Sequence, residues 1–224
     1  MNYVSRVDDR VKINHMLVSV SDKRNLRDLI PPLLQINPTI RILSTGGTFE
    51  AIAQILGSAA GKNLTQVADY TGQPEMQGGL VKTLDFKIYL GLLSETYNSQ
   101  HSKDLDRAGA VPIDLVVVNL YPFEQTIAKP DVTPERARGN IDIGGPCMIR
   151  ASAKNFHRVA VLTDPEDYTD FLQDLRDHEG RSSLKERYRL SQKAFRHTAL
   201  YDKSIASYLE SCSFEEILGE YTVS

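Results

Sequence analysis

The chain has 224 residues, of which 41% are hydrophobic and 25% charged, enough apolar material to bury a core and too much for wholesale disorder. Its formal net charge of −3, from 26 basic and 29 acidic residues, argues against a general nucleic-acid binder but leaves room for a local cationic pocket. Two cysteines, Cys147 and Cys212, make neither a disulfide framework nor a paired zinc motif, and the five histidines show no metal-ligand spacing. Residues 1–14 lack the apolar stretch of a signal peptide, and no run approaches the roughly 18 apolar residues of a membrane span. A cytoplasmic protein with no membrane partner is expected.

In chain order, 1–14 reads as a loose arm, 15–212 as one domain and 213–224 as a tail. Residues 16–20 are a strand ending in Ser19, Ser21, Asp22 and Lys23. Leu26, Leu29, Ile30, Leu33 and Leu34 then recur at helical spacing. A second strand over 41–44 runs into Ser44-Thr45-Gly46-Gly47-Thr48 and a helix over 49–56. A weaker strand covers 64–67, and 68–83, rich in Gly, Thr and Pro, reads as a long functional loop. Residues 113–118 are almost uninterruptedly apolar, as suits a parallel strand covered on both faces. They end at Asn119 and Tyr121. A helix opens at Gly144-Gly145-Pro146 and reaches Lys154; a last strand covers 159–162, and helices cover 165–177 and 184–209. Strands alternating with helices predict a parallel α/β sheet, with the ligand at the carboxyl ends of its strands.

Most motifs at those ends admit two explanations. Ser44 to Thr48 fits an anion cradle, in which glycine N–H groups and hydroxyls face a phosphate, or a turn capped by Thr48. Lys23 can meet a phosphate, or Asp22 can simply cap a polar loop. Lys82, beside Thr83, is a pocket cation or a solvated loop lysine. Asp142, between two isoleucines, caps the following helix or meets ligand N–H groups. Lys154 is a proton-transfer group or a helix-terminal lysine favoured by the dipole. Tyr121 presents its hydroxyl to the cleft or packs.

Taken together, the segments resemble one family. They are Ser19 to Lys23, Leu43 to Thr48, Asp69 to Met76, Val81 to Leu84, Asp114 to Phe123, Ile141 to Gly145, and Arg150 to Asn155, followed by Ala194 to Thr198 and Ile205 to Tyr208. In this order they resemble the inosine monophosphate (IMP) cyclohydrolase domain of bifunctional purine-biosynthesis enzymes over roughly residues 15–210. The resemblance implies a methylglyoxal-synthase-like, three-layer parallel α/β fold with extra C-terminal helices. It also implies a homodimer and a cofactor-free ring closure of a formamidoimidazole carboxamide ribonucleotide. Carried over by motif, Lys154 moves protons, Asp142 holds the carboxamide N–H groups, and Tyr121 and Lys82 stabilise developing charge. Ser19, Ser21, Asp22 and Lys23, with Ser44, Thr45, Gly46, Gly47 and Thr48, serve the phosphate and ribose. Thr83, Asn119, Ile143, Gly144 and Gly145 complete the substrate site. No metal is implied.

The pattern departs from the family at Leu80, where arginine is usual, at Asp85-Phe86, where His-Pro is usual, and at Tyr89, in place of a second histidine. These departures keep open a nucleotide-binding module without turnover; a methylglyoxal synthase is the more distant alternative. The length is filled by the cyclohydrolase portion, so a separate formyltransferase polypeptide is expected upstream.

Overall fold

The computed structural model describes residues 3–74 and 83–223. A short strand β1 (Arg10–Lys12) precedes β2 (His15–Val20), helix α1 (Leu26–Ile36) and β3 (Arg41–Ser44). Helix α2 (Gly46–Leu56) is followed by α3 (Ala60–Asn63), β4 (Leu64–Gln66) and α4 (Val67–Thr71). Then come α5 (Phe86–Leu93), α6 (Ser99–Ala108), β5 (Leu115–Asn119), α7 (Phe123–Ile127), α8 (Pro134–Gly139) and α9 (Gly144–Lys154). The chain closes with β6 (Ala160–Leu162), α10 (Tyr168–Asp177), β7 (Arg181–Ser183), the long α11 (Leu184–Ser211) and α12 (Phe214–Gly219).

Five strands form one parallel sheet in the order β4-β3-β2-β5-β6, with the apolar β2, β5 and β6 buried and the short polar β4 at one edge. Register places Leu17 beside Leu43 on one side and Val116 on the other. Alternate residues then feed two cores. Met16, Val18, Leu115 and Val117 pack with Leu29 and Ile30 of α1 and with Phe171 and Leu175 of α10. Leu17, Val116 and Val118 pack on the opposite face with Ile88 of α5, Ile149 of α9 and Ala194 of α11. The result is the expected three-layer α/β fold. Burying each such Val or Leu contributes about 1.5–3 kcal/mol, so both faces of β2 and β5 anchor the sheet.

Strand order reverses at β2, because the chain builds β3 and β4 on one side and β5 and β6 on the other. This opens a crevice above the carboxyl ends of β2, β3 and β5. The entrance to β2 is fixed by Asp114, whose carboxylate accepts from the Asn14 and His15 N–H groups at 2.9 and 3.1 Å and from Arg158 at 2.9 Å.

The structure differs from the sequence-based expectation in several places. The N-terminal arm is not loose, since β1 pairs antiparallel with β7. Arg187, fully buried, donates to carbonyls of Asp8 (2.6 Å), Ser182 (2.5 Å), Phe156 (3.0 Å) and His157 (3.1 Å). The tail carries α12, whose Ser213 and Glu216 form a reciprocal capping box. The segment expected as a long loop begins with the helix α4. Helices α5 to α8 are additions, three of them capped by Asp85, Asn98 and Thr133 side chains. Residues 165–167 are a single 3₁₀ turn leading into α10.

Candidate active site

The crevice encloses about 660 Å³, within the usual range for small-molecule sites. Ser19 lies near the end of β2, and Ser21 and Lys23 come from the turn after it; Thr45, Gly46, Gly47 and Thr48 come from the β3–α2 junction. Asn119 ends β5 and Tyr121 follows it, and Asp142, Ile143, Gly144 and Gly145 form the start of α9, with Thr83 opposite. Four motifs far apart in sequence are thus gathered at the strand ends.

At the β3–α2 end, α2 begins at Gly46, three residues earlier than the sequence pattern suggests. Its first turn has no side-chain cap, so it presents main-chain donors and the positive end of the helix dipole. A Cβ at Gly47 would lie 3.8 Å from Lys23 Cε and 4.0 Å from Lys23 Nζ, which sets the ammonium beside this turn. Ser19 and Thr45 share a hydroxyl hydrogen bond of 3.0 Å that ties the two loops together. Thr48 is neither the cap nor a free donor: its hydroxyl donates to Val20 O at 3.0 Å and accepts from Val20 N–H at 3.1 Å. Asn119 is similarly committed, accepting from Asp22 N–H at 2.8 Å and donating to Asp22 O at 2.9 Å.

Asp142 lies at the opposite end. Its Oδ1 accepts from Gly145 N–H at 2.9 Å, and the nearby Tyr121 main-chain amide also favours the charged carboxylate. Burial nonetheless raises its pKa above the usual carboxylate value, because desolvation outweighs those two amides. It therefore caps the start of the helix and lines the cleft at once. Both glycines are needed for space. A Cβ at Gly144 would come within 2.8 Å of the Thr83 hydroxyl, and one at Gly145 within 2.5 Å of Asp142 Oδ2. Tyr121 and Ile143, 57% and 59% exposed, stand at the rim as apolar surfaces for a flat ring.

Three expected residues are not part of this cleft. Ser44 is buried, its hydroxyl donating to Val18 O at 2.8 Å; as the last residue of β3 it points into the sheet. Asp22 turns into a neighbouring cleft, where Arg24, 2.7 Å away, lowers its pKa. Lys154 is exposed at the far end of α9, about 15 Å from the helix start at 1.5 Å per residue. Lys82 and Leu80 lie outside the described residues. Thr83 and Leu84, just beyond them, do line the cleft. Asp85 replaces the family's histidine with a helix cap, accepting from Lys87 N–H at 2.7 Å. Tyr89 is half-buried with its hydroxyl shielded beside Cys147, and desolvation raises its pKa.

A family model described as an MGS-like domain matches residues 28–147, more than half of the chain, and one described as the AICARFT/IMPCHase bienzyme matches residues 152–223. This chain belongs to the MGS-like domain family. Among its relatives is the bifunctional purine biosynthesis protein PurH of Nostoc punctiforme, 47% identical over 211 residues, 93% of this chain and 40% of the relative. PurH of Bacillus subtilis is 42% identical over 212 residues, 95% of this chain and 40% of that protein. The chain thus spans about 40% of the length of these relatives. A solved structure described as the crystal structure of ForH superposes with a TM-score of 0.74 at 35% identity, covering 86% of this chain and 95% of that one.

One contributor to the MGS-like site escapes sequence reading. Tyr201, on α11, accepts from the Asp142 N–H at 2.8 Å. The contact joins residues 59 positions apart through a main-chain group, and nothing in the helical pattern around Tyr201 marks it. Among the described residues, no helix is long and apolar enough to cross a membrane.

Proposed function

We propose that this domain is an IMP cyclohydrolase, closing the purine ring of 5-formamidoimidazole-4-carboxamide ribonucleotide. The observation that carries the proposal is the pairing, in one cleft, of an anion-binding glycine turn beside Lys23 with a carboxyl whose proton affinity burial has raised. The phosphate sits at the α2 turn, and the base reaches Asp142 between Tyr121 and Ile143. Ring closure is intramolecular, so holding the formyl carbon against the carboxamide nitrogen removes most of the entropic barrier. The carboxamide nitrogen attacks the formyl carbon and gives up one proton. The formamido nitrogen gives up another as the C–N double bond forms. The formyl oxygen leaves as water carrying both. Asp142 takes the carboxamide proton, and the Tyr121 hydroxyl steadies the charge on the formyl oxygen. No cofactor is required by this chemistry.

Lys154 completes the site from a second copy of the chain. Ile143, Cys147, Arg150 and Lys154 follow one another at helical spacing along the outside of α9, and the Arg150 guanidinium lies over the Phe195 ring at 5.6 Å. Two such helices packed antiparallel about a two-fold axis near residues 148–149 set Lys154 of one copy beside Ile143 of the other. The protein is then a homodimer with shared sites, and the formylated substrate is made by a separate formyltransferase activity. The competing reading, nucleotide binding without turnover, is favoured by the distance of Lys154 from the cleft of its own chain.

Purified protein is incubated with the formylated ribonucleotide and IMP is followed by absorbance. Turnover without added metal or nucleotide supports the cyclohydrolase; tight IMP binding with no turnover supports the binding module. Lys154→Ala and Asp142→Asn, each inactive alone, are then mixed under dissociating conditions and reassociated. Shared sites predict recovery to roughly a quarter of wild-type activity, since half the dimers are mixed and each carries one intact site. No recovery excludes delivery of Lys154 across the dimer.

A further inference from the structure

Tyr201 touches both walls of the cleft. Its hydroxyl accepts from the Asp142 N–H at 2.8 Å, and that N–H makes no main-chain hydrogen bond. Its ring meets Phe123 edge-on, with centroids 6.2 Å apart and planes at 69°. Phe123 also meets Tyr208, about two turns further along α11, at 5.9 Å and 85°. Phe123 is two residues from Tyr121, which lines the cleft with Asp142. The two segments bearing the cleft's polar groups are therefore fastened to one helix, through a ring on one side and a hydroxyl on the other.

That helix is a stiff support. It has 28 residues, opens with a cap from Ser183 to the Glu186 N–H, and is rooted by the buried Arg187 in its first turn. A tyrosine needed only for packing would leave its hydroxyl to solvent or to its own helix. Here the hydroxyl, on a side chain 9% exposed, is spent on the peptide group of the residue that carries the carboxyl.

We propose that Tyr201 is a positioning residue for ring closure, holding the Asp142 peptide and the Tyr121–Phe123 segment at a fixed spacing while the formyl carbon becomes tetrahedral. This rests on the cyclohydrolase reading. The ionisable groups facing the contact are Asp142 and Asp202, both acidic, and burial keeps the Tyr201 phenol protonated at neutral pH. Loss of the hydroxyl leaves the Asp142 N–H to recruit water, which hydrates the carboxyl and lowers its proton affinity.

Tyr201→Phe keeps the ring and removes the hydroxyl. The expected result is a fall in kcat of about 10–100-fold with KM changed less than about 3-fold, the signature of an interaction that matters in the transition state. The acidic limb of the kcat profile moves to lower pH, and so does the Asp142 carboxyl titration followed by carbon-13 NMR. Wild-type kcat together with an unchanged Asp142 titration overturns the proposal. Should Tyr201→Phe fail to fold, Phe123→Leu, which loosens the ring contact alone, must show the same kcat-against-KM split in smaller measure; a wild-type profile there also overturns it. If the wild-type protein closes no ring, the cyclohydrolase reading falls, while the NMR comparison still decides whether Tyr201 controls Asp142.

Discussion

Replacing Gly145 by alanine tests the site with a single methyl group. The added Cβ would stand 2.5 Å from Asp142 Oδ2 and 2.6 Å from Leu120 Cδ2. Ordinary contacts lie near 3.5–4.0 Å, so both the carboxylate and the Leu120 side chain must retreat by roughly 1 Å. Leu120 is 8% exposed and packed in the core, so its retreat carries the packing cost, while that of the carboxylate displaces a group that lines the cleft. Overpacking of this kind costs about 1–3 kcal/mol, offset by up to about 1 kcal/mol of helix propensity gained on losing glycine. The net cost of about 0–2 kcal/mol corresponds to a fall in Tm of no more than about 8 °C. Misplacing a reacting group by about 1 Å costs on the order of 100-fold in rate, so activity should fall far more than stability. The paired control is Gly61→Ala in α3, where nothing lies within 4 Å of the new methyl. It should keep full activity and an equal or higher Tm. Thermal melts and initial rates of ring closure on both variants give the answer. A Gly145→Ala enzyme within about 3-fold of the wild-type rate would refute the claim that the Asp142 position governs the chemistry.

Asp142→Asn should abolish ring closure by about 100-fold or more without lowering stability at pH 7. Burial raises the folded carboxyl above its unfolded value, so the native state binds more protons in the window above about pH 4 and stability declines as pH rises through it. The asparagine has no such charge, and its Tm should change less with pH in that window; a steeper dependence contradicts the assignment. Lys23→Gln should weaken IMP by about 10–100-fold in calorimetry, the worth of one charge-assisted hydrogen bond, and leave inosine, which has no phosphate, unaffected. Equal losses for both ligands would move Lys23 away from the phosphate. Arg187→Met strips partners from carbonyls in three segments and should cost about 3 kcal/mol or more, lowering Tm by at least about 6 °C while IMP affinity of the folded protein holds. A wild-type Tm would show that water replaces the guanidinium.

The sheet was legible in the sequence because β2, β3 and β5 are covered on both faces and therefore written as apolar runs. The glycine turns were legible too, since Gly46-Gly47 and Gly144-Gly145 mark places where a backbone must be approached closely. Residue types alone could not separate members of the site from their supports. Ser44, Thr48 and Asn119 carry hydroxyls or amides suited to a ligand, yet the structure uses them to bind Val18, Val20 and Asp22 main-chain groups. Strand alternation decides Ser44: it faces away from Leu43 and into the sheet. The sequence hides α6 and α8 because they have few apolar repeats and are held by the Asn98 and Thr133 caps, which look like loop residues; α5 is apolar but only eight residues long, and α7 only five. Lys154 shows a different limit, for a motif fixes a residue on a helix without saying that it reaches the cleft of its own chain, and here it stands at the far end of α9.

The guanidinium at the root of α11 also sets a rule for dissecting this domain. Its hydrogen-bond acceptors include the carbonyls of Asp8 and Asp9, upstream of the first sheet strand that carries site residues. Cutting the chain back to Ile13 would leave every parallel strand in place and still strand a buried cation with donors unanswered. The smallest independently folding unit therefore begins before Asp8, and anyone trimming further must replace Arg187 in the same step.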